Sequence, residues 1–298
     1  MNVVECRGLV KQYGRKKALN DVSFILGKDK ITGLIGRNGA GKTTLLKVIA
    51  GYIRESSGEV LVFEEKPFNN LKVSANMIFV DDEMNLPPTM TLEEILETAE
   101  DFYPNWDRDL AGRLFDYFSF QPYQYHNGLS KGMRSTFNMI LGLSARTPLT
   151  IFDEPTTGMD AGVRKDFYRA LLKDYLAHPR TIILSSHLLN EMEDILEDIL
   201  LIKEGEKFLH MGVEELREYA IGVKGKDAAM REWLKNKEII HETSQSMAGT
   251  FAVVRNNFSA GEFETARHAG LEFSPVTADE ICTFLTSSTK GGIDDVFN

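Results

Sequence analysis

The stretch Gly36-Arg37-Asn38-Gly39-Ala40-Gly41-Lys42-Thr43, with Thr44 after it, constrains the fold of this chain more than any other. It is a complete G-x-x-x-x-G-K-[ST], set between an apolar run at 31–35 and a helix-like run at 44–50. A strand that enters a tight glycine turn and leaves as a helix aims the turn's N–H groups and the positive helix end at one point. A polyphosphate suits that point. Lys42 is expected to reach the β- and γ-phosphates, and the Thr43 hydroxyl to ligate Mg²⁺. An ordinary glycine turn explains neither residue.

The segments around this loop alternate. Strand patterns fall at 3–6, 22–26, 31–35, 59–63, 77–80, 149–153, 181–184, 199–202 and 207–210. Helix patterns fall at 42–50, 92–101, 108–118, 131–145, 162–177 and 188–195. Such alternation predicts a parallel-rich α/β sheet covered on both faces. Strand signals vanish over 86–128, which predicts a helical insert reaching about 146 with the helix that follows it. Its aromatics, Phe102, Tyr103, Trp106, Phe115, Tyr117, Phe118 and Phe120, are expected to be mostly core, with a few lining a groove. Beyond 212 the order βαββαβ predicts a small α+β appendage over 213–298, with a linker-like tail at 287–292. With 298 residues, one large domain over 1–212 and one smaller one is the expected division.

Composition narrows the partners. A net charge of −10 argues against broad nucleic-acid or anionic-lipid binding. Cys6 and Cys282 lie at opposite ends, too few and too far apart for a disulfide framework or a zinc site, which suits a reducing cytosol. No apolar run approaches the roughly 18 residues that cross a bilayer, and the N-terminus has no secretory pattern. Direct membrane insertion is not expected, so any membrane association runs through a protein partner.

A second half of the site follows. The run Leu149-Thr150-Ile151-Phe152-Asp153-Glu154 is an apolar strand ending in two carboxylates. Phosphoryl transfer needs Mg²⁺ beside the γ-phosphate, and Asp153 is placed to hold it, through a water. It also needs an oriented attacking water, for which Glu154 is the natural base.

In the order of these motifs the chain resembles the ATPase subunit of an ABC transporter, of the bacterial type with a separate permease. Leu129-Ser130-Lys131-Gly132-Met133 matches the LSGGQ signature, about twenty residues before the Asp153–Glu154 strand. Glu154-Pro155-Thr156-Thr157-Gly158-Met159-Asp160 matches the passage from the second Walker motif to the D-loop, Ser186-His187 the switch histidine, and Tyr13 the adenine-stacking aromatic. The resemblance covers about residues 1–210. It implies a P-loop NTPase fold of ABC ATPase type, with an antiparallel β edge, and hydrolysis of ATP with Mg²⁺. It implies Ser130 and Gly132 as a γ-phosphate cap for ATP held by a second subunit, His187 as the γ-phosphate contact, and Asp160 at the subunit interface. It implies a homo- or heterodimer docked on an integral membrane permease at the inner face of the cell membrane.

Four positions, in three motifs, depart from that pattern. Lys131 and Met133 replace a glycine and a glutamine of the signature, and Met159 replaces a leucine, a swap of similar volume. The glutamine expected after the strand at 77–80 is replaced within Asp81-Asp82-Glu83, where Asp82 is the best positional match and a candidate Mg²⁺ ligand. These departures leave room for a catalytically weak half of a heterodimer. A soluble, non-transport ABC ATPase is a further alternative, although this chain has one ATPase unit and no heptad run. Because Asp82 adds negative charge beside a triphosphate, Asp82→Gln is expected to raise apparent ATP affinity at low Mg²⁺. A Mg²⁺ titration of ATP binding that gives identical curves for both proteins would refute this.

Overall fold

Two long antiparallel strands open the chain in the computed structural model, which describes residues 2–245 and 249–287. The expected linker residues 288–292 lie outside the described residues. The chain divides into two compact units, Met1–His210 and Met211–Asn298.

In the first unit, β1 (Asn2–Tyr13) and β2 (Lys16–Gly27) form a hairpin. Both are 12 residues long, where the apolar pattern alone indicated four and five. Their outer halves are polar and half-exposed, so backbone pairing, not burial, carries the strands onward. The parallel strand β3 (Ile31–Ile35) leads through the glycine turn into α1 (Lys42–Ile49). Then β4 (Ser57–Val62) joins the hairpin in an antiparallel sheet of order β2-β1-β4. The short helix α2 (Leu71–Ala75) was not anticipated, although Asn70 caps it through the Lys72 and Val73 N–H groups. After β5 (Met77–Val80) come the insert helices α3 (Leu92–Phe102) and α4 (Arg108–Tyr117), and then α5 (Lys131–Ser144). The chain continues through β6 (Leu149–Asp153), α6 (Ala161–Ala177), β7 (Thr181–Ser186), β8 (Asp198–Lys203) and β9 (Glu206–Gly212).

These strands form a six-stranded sheet of order β5-β6-β7-β3-β8-β9, parallel from β5 to β8. The runs β3, β5, β6 and β7 are buried at every position, as strands covered on both faces must be. The helix expected over 188–195 is instead two short 3₁₀ turns, Leu189–Glu191 and Glu193–Ile195. Leu189 and Met192 are buried three residues apart, the repeat of a 3₁₀ turn, and Arg164 holds Glu191 from α6.

The insert is fastened to the core by charge. Arg146 bridges Asp107 at the start of α4 (2.8 Å) and Asp174 in α6 (2.8 Å), while buried Arg180 reaches Asp174 at 2.7 Å. Fewer insert aromatics are core than expected. Phe115 and Phe120 are buried against Phe137, whereas Phe102 and Tyr117 are exposed because they lie on the solvent side of their helices.

The second unit begins with α7 (Val213–Arg217), also unanticipated, and continues β10 (Ala220–Gly225), α8 (Asp227–Leu234), β11 (Ile239–Gln245), β12 (Gly249–Arg255), α9 (Ala260–His268), β13 (Glu272–Pro275) and α10 (Ala278–Thr286). Its antiparallel sheet has order β11-β12-β10-β13. That is the split βαβ arrangement, in which β12 separates the two strands joined by α8. Val223, Met230, Leu234, Ala252, Val254 and Leu271 form its core.

Asp174→Ala is expected to destabilise the first unit by about 3 kcal/mol, because it strands the buried Arg180 guanidinium without a counter-charge. Chemical denaturation of wild type and variant measures this; a change under about 0.5 kcal/mol would contradict the role given to the pair.

Candidate functional site

Four parallel strands end along one edge of the six-stranded sheet, and each delivers part of the predicted site. β3 ends at the glycine turn, β5 at Asp81–Glu83, β6 at Asp153–Glu154 and β7 at Ser186–His187. Together they line a cleft of about 880 Å³. Open parallel sheets bind ligands at this end of their strands.

The turn is built for an anion. Gly41 has φ +110°, and a Cβ there would lie 2.6 Å from the Ala18 carbonyl oxygen. Only glycine fits this conformation and this approach together. Among the described residues no side chain caps α1 and no acid occupies its first turn, so its leading N–H groups lack a side-chain cap, as an anion site at a helix start requires. Arg37, Asn38, Gly39, Gly41, Lys42, Thr43 and Thr44 line the cleft. Gly36 and Ala40 support the loop from behind: the Gly36 carbonyl accepts from Lys42 Nζ (2.7 Å) and the Ala40 carbonyl from Gly205 N–H (2.9 Å). Tyr13 sits at the cleft's rim at the end of β1, half-exposed, with Lys11 Nζ 5.0 Å from its ring centre.

Lys42, Glu154 and His187 form a continuous polar chain. Lys42 Nζ lies 3.1 Å from Glu154 Oε1, and His187 Nδ1 lies 2.9 Å from Glu154 Oε2. Glu154 is held with φ +48°, a left-handed backbone that costs a non-glycine residue energy. A residue that the motifs did not single out keeps it there. Ser185 Oγ accepts from the Glu154 N–H (2.9 Å) and donates to Asp153 Oδ1 (2.5 Å). The parallel register sets Asp153 beside Ser185, so the signal was the pair of serines that closes β7 after its apolar run.

The mouth of the cleft is acidic. Asp81 is pushed above the ordinary carboxylate range, chiefly by burial and further by Asp153, Glu83 and Asp82, with Lys47 opposing. Asp82 lines the cleft, and its Oδ2 lies 3.0 Å from Lys131 Nζ, a partner not foreseen from the sequence. His126 and Asn138 were also missed. Asn138 Nδ2 donates to the Asp81 carbonyl (3.1 Å), which leaves its Oδ1 to accept from His126 Nε2 (2.8 Å). Burial lowers the His126 pKa, consistent with a neutral ring donating through Nε2.

Ser130, Gly132 and Asp160 are not in this cleft. They line a separate hollow of about 250 Å³. Ser130 caps α5, accepting from Met133 N–H at 3.4 Å. Gly132 packs so closely that a Cβ would lie 2.4 Å from the Gly158 carbonyl oxygen. Asp160 caps α6 through the Gly162 and Val163 N–H groups, each at 2.9 Å.

The ABC transporter family profile matches residues 19–157. The ABC transporter ATP-binding protein NatA of Bacillus subtilis (strain 168) is 30% identical over 212 residues, covering 68% of this chain and 85% of NatA. YtrB of the same organism, also an ABC transporter ATP-binding protein, is 28% identical over 221 residues, covering 74% of this chain and 76% of YtrB. Among solved structures, a dimeric post-hydrolysis state of the ATP-binding cassette MJ0796, bound to ADP and Pi, superimposes with a TM-score of 0.62 at 21% identity, over 70% of this chain and 98% of that one. The cleft's phosphate loop, its two carboxylates and these relatives agree: this chain belongs to the ABC transporter ATP-binding proteins, and it is an ATPase of that family. The P-loop α/β fold read from the sequence stands.

Ser185→Ala removes a side chain that hydrogen-bonds both Asp153 and the Glu154 backbone. ATP turnover is expected to fall about tenfold, a loss near 1.4 kcal/mol, with nucleotide binding little changed. Steady-state kinetics with separate kcat and KM checks this; a rise in KM at unchanged kcat would contradict it.

Proposed function

We propose that two subunits of this kind close around two ATP molecules and that closure drives a separate membrane permease. The observation carrying this reading is the division of the site. Lys42, Glu154 and His187 share one cleft, while Ser130, Gly132 and Asp160 line another hollow. A phosphate loop in one copy and a Ser130–Gly132 segment from a second copy would complete each other. ATP ligated from both sides binds the closed pair better than the open subunits, and only such differential affinity can shift the equilibrium. The dimeric cassette of similar fold supports the arrangement.

In this reading the triphosphate lies on the α1 N-terminus, and Tyr13 offers its ring to the adenine. Lys42 exchanges Glu154 Oε1 for phosphate oxygens. Glu154, relieved of that partner, takes a proton from the attacking water, and His187 contacts the γ-phosphate while remaining within reach of Glu154.

The donors present suit Mg²⁺. Thr43 and Asp153, with Asp82 at the mouth, offer only hard oxygens within one cleft. Thr43 and Asp153 would hold it, and it would neutralise charge on the β- and γ-phosphates.

No helix of the described residues is long and apolar enough to cross a membrane. An apolar hollow between the insert and the core, lined by Ile78, Leu86, Met90 and exposed Phe102, offers a docking place for a helix of the permease. The subunit then sits peripherally at the cytoplasmic face.

Glu154→Gln should bind ATP, accumulate as a dimer by light scattering and lose turnover by at least a hundredfold. Lys42→Ala should lose ATP binding. A Glu154→Gln protein hydrolysing at the wild-type rate would remove the base assignment.

A further inference from the structure

Two of this chain's departures from its family's pattern meet in space. Asp82, where a glutamine is expected, and Lys131, where a glycine is expected, form an ion pair at 3.0 Å. Asp82 belongs to the ATP cleft, and Lys131 lies between the two signature residues that line the other hollow. The pair therefore links the two ATP-facing surfaces of one subunit. Its backbone footing is firm on both sides: Asn138 of α5 donates to the Asp81 carbonyl, and Gly132 packs on Gly158. The side chains, by contrast, are 52% and 41% exposed. An ion pair so exposed is weak and readily exchanged. Lys131 is also the first residue of α5, where a cation opposes the helix dipole and no acid of the first turn compensates it. It is a cation that gains from any nearby anion, and Asp82 supplies one.

We propose that Lys131 is an additional phosphate ligand, offered to the ATP of a facing subunit, and that Asp82 is its resting counter-ion. This rests on the two-copy reading above. A terminal phosphate carries more charge than one carboxylate and forms stronger charge-assisted hydrogen bonds. When it meets Lys131, the ammonium leaves Asp82. The carboxylate released by that exchange faces its own subunit's cleft. Each ATP thus alters the charge in the opposite site without any movement of the backbone.

The two members of the pair then act with opposite sign on association, which a merely structural ion pair does not do. The experiment uses the full chain carrying Glu154→Gln, with light scattering followed across a MgATP titration. Lys131→Met should raise the half-saturating MgATP for association about tenfold, while Lys131→Arg keeps it near the parent value. Asp82→Asn should lower it about threefold in the parent and by clearly less beside Lys131→Met, where only the charge in its own cleft remains to act. Association unaffected by Lys131→Met would overturn the proposal. So would Asp82→Asn raising the midpoint or leaving it in place. An equal Asp82→Asn effect with Lys131→Met present would overturn it too, since the charge would then act on its own cleft alone. A Glu154→Gln protein that stays monomeric at saturating MgATP would sink the two-copy reading itself, and this proposal with it.

Discussion

Parallel pairing of β6 with β7 is the interaction on which the site depends. It sets Asp153 level with Ser185, and a single hydroxyl then governs both acids at the end of β6. Parallel strands place their C-terminal ends along one edge, so loops far apart in sequence share a cleft without reaching for it. The burial of these strands on both faces makes the register costly to change. A slip by one residue would turn Asp153 toward a packed helix. The precision of the chemistry is therefore inherited from the apolar core of the sheet.

Much of this was legible from the chain alone. The glycine turn, the paired carboxylates and the fully apolar strands each carry a local signal strong enough to stand by itself. The 3₁₀ turns at 189–195 read as helix in the sequence because apolar residues three apart satisfy both periods, and the Arg164–Glu191 contact that fixes them comes from another element. Short helices such as α2 were missed for a related reason: five residues carry too little pattern, although Asn70 marked the cap. Asn138 and His126 were invisible because their roles exist only across contacts between elements, and Ser185 showed only as a polar residue near a strand end. The Asp82–Lys131 pair was invisible for the same cause, each residue looking like an isolated departure.

The charges of the first unit are arranged at two depths. Around Arg146, Asp107, Asp174 and Arg180 they are shielded and stoichiometrically balanced, two acids against two guanidinium groups, and they fasten the insert to the core. Around the cleft they are partly wet, with Asp81, Asp82, Glu83, Asp153, Glu154 and Glu204 sharing the lining with Lys16, Lys17, Arg37, Lys42 and Lys47. Buried pairs resist salt and exchange, whereas wet ones do neither. The framework is thus electrostatically silent, and the cleft responds to any charged molecule that enters it.

The left-handed backbone of Glu154 carries a further meaning. A glycine or asparagine at that position would relax the main chain, and a chain so altered would gain robustness as it lost its base. Durability and turnover pull in opposite directions at this one residue, so a search for hardier versions of the protein would drift toward inert ones.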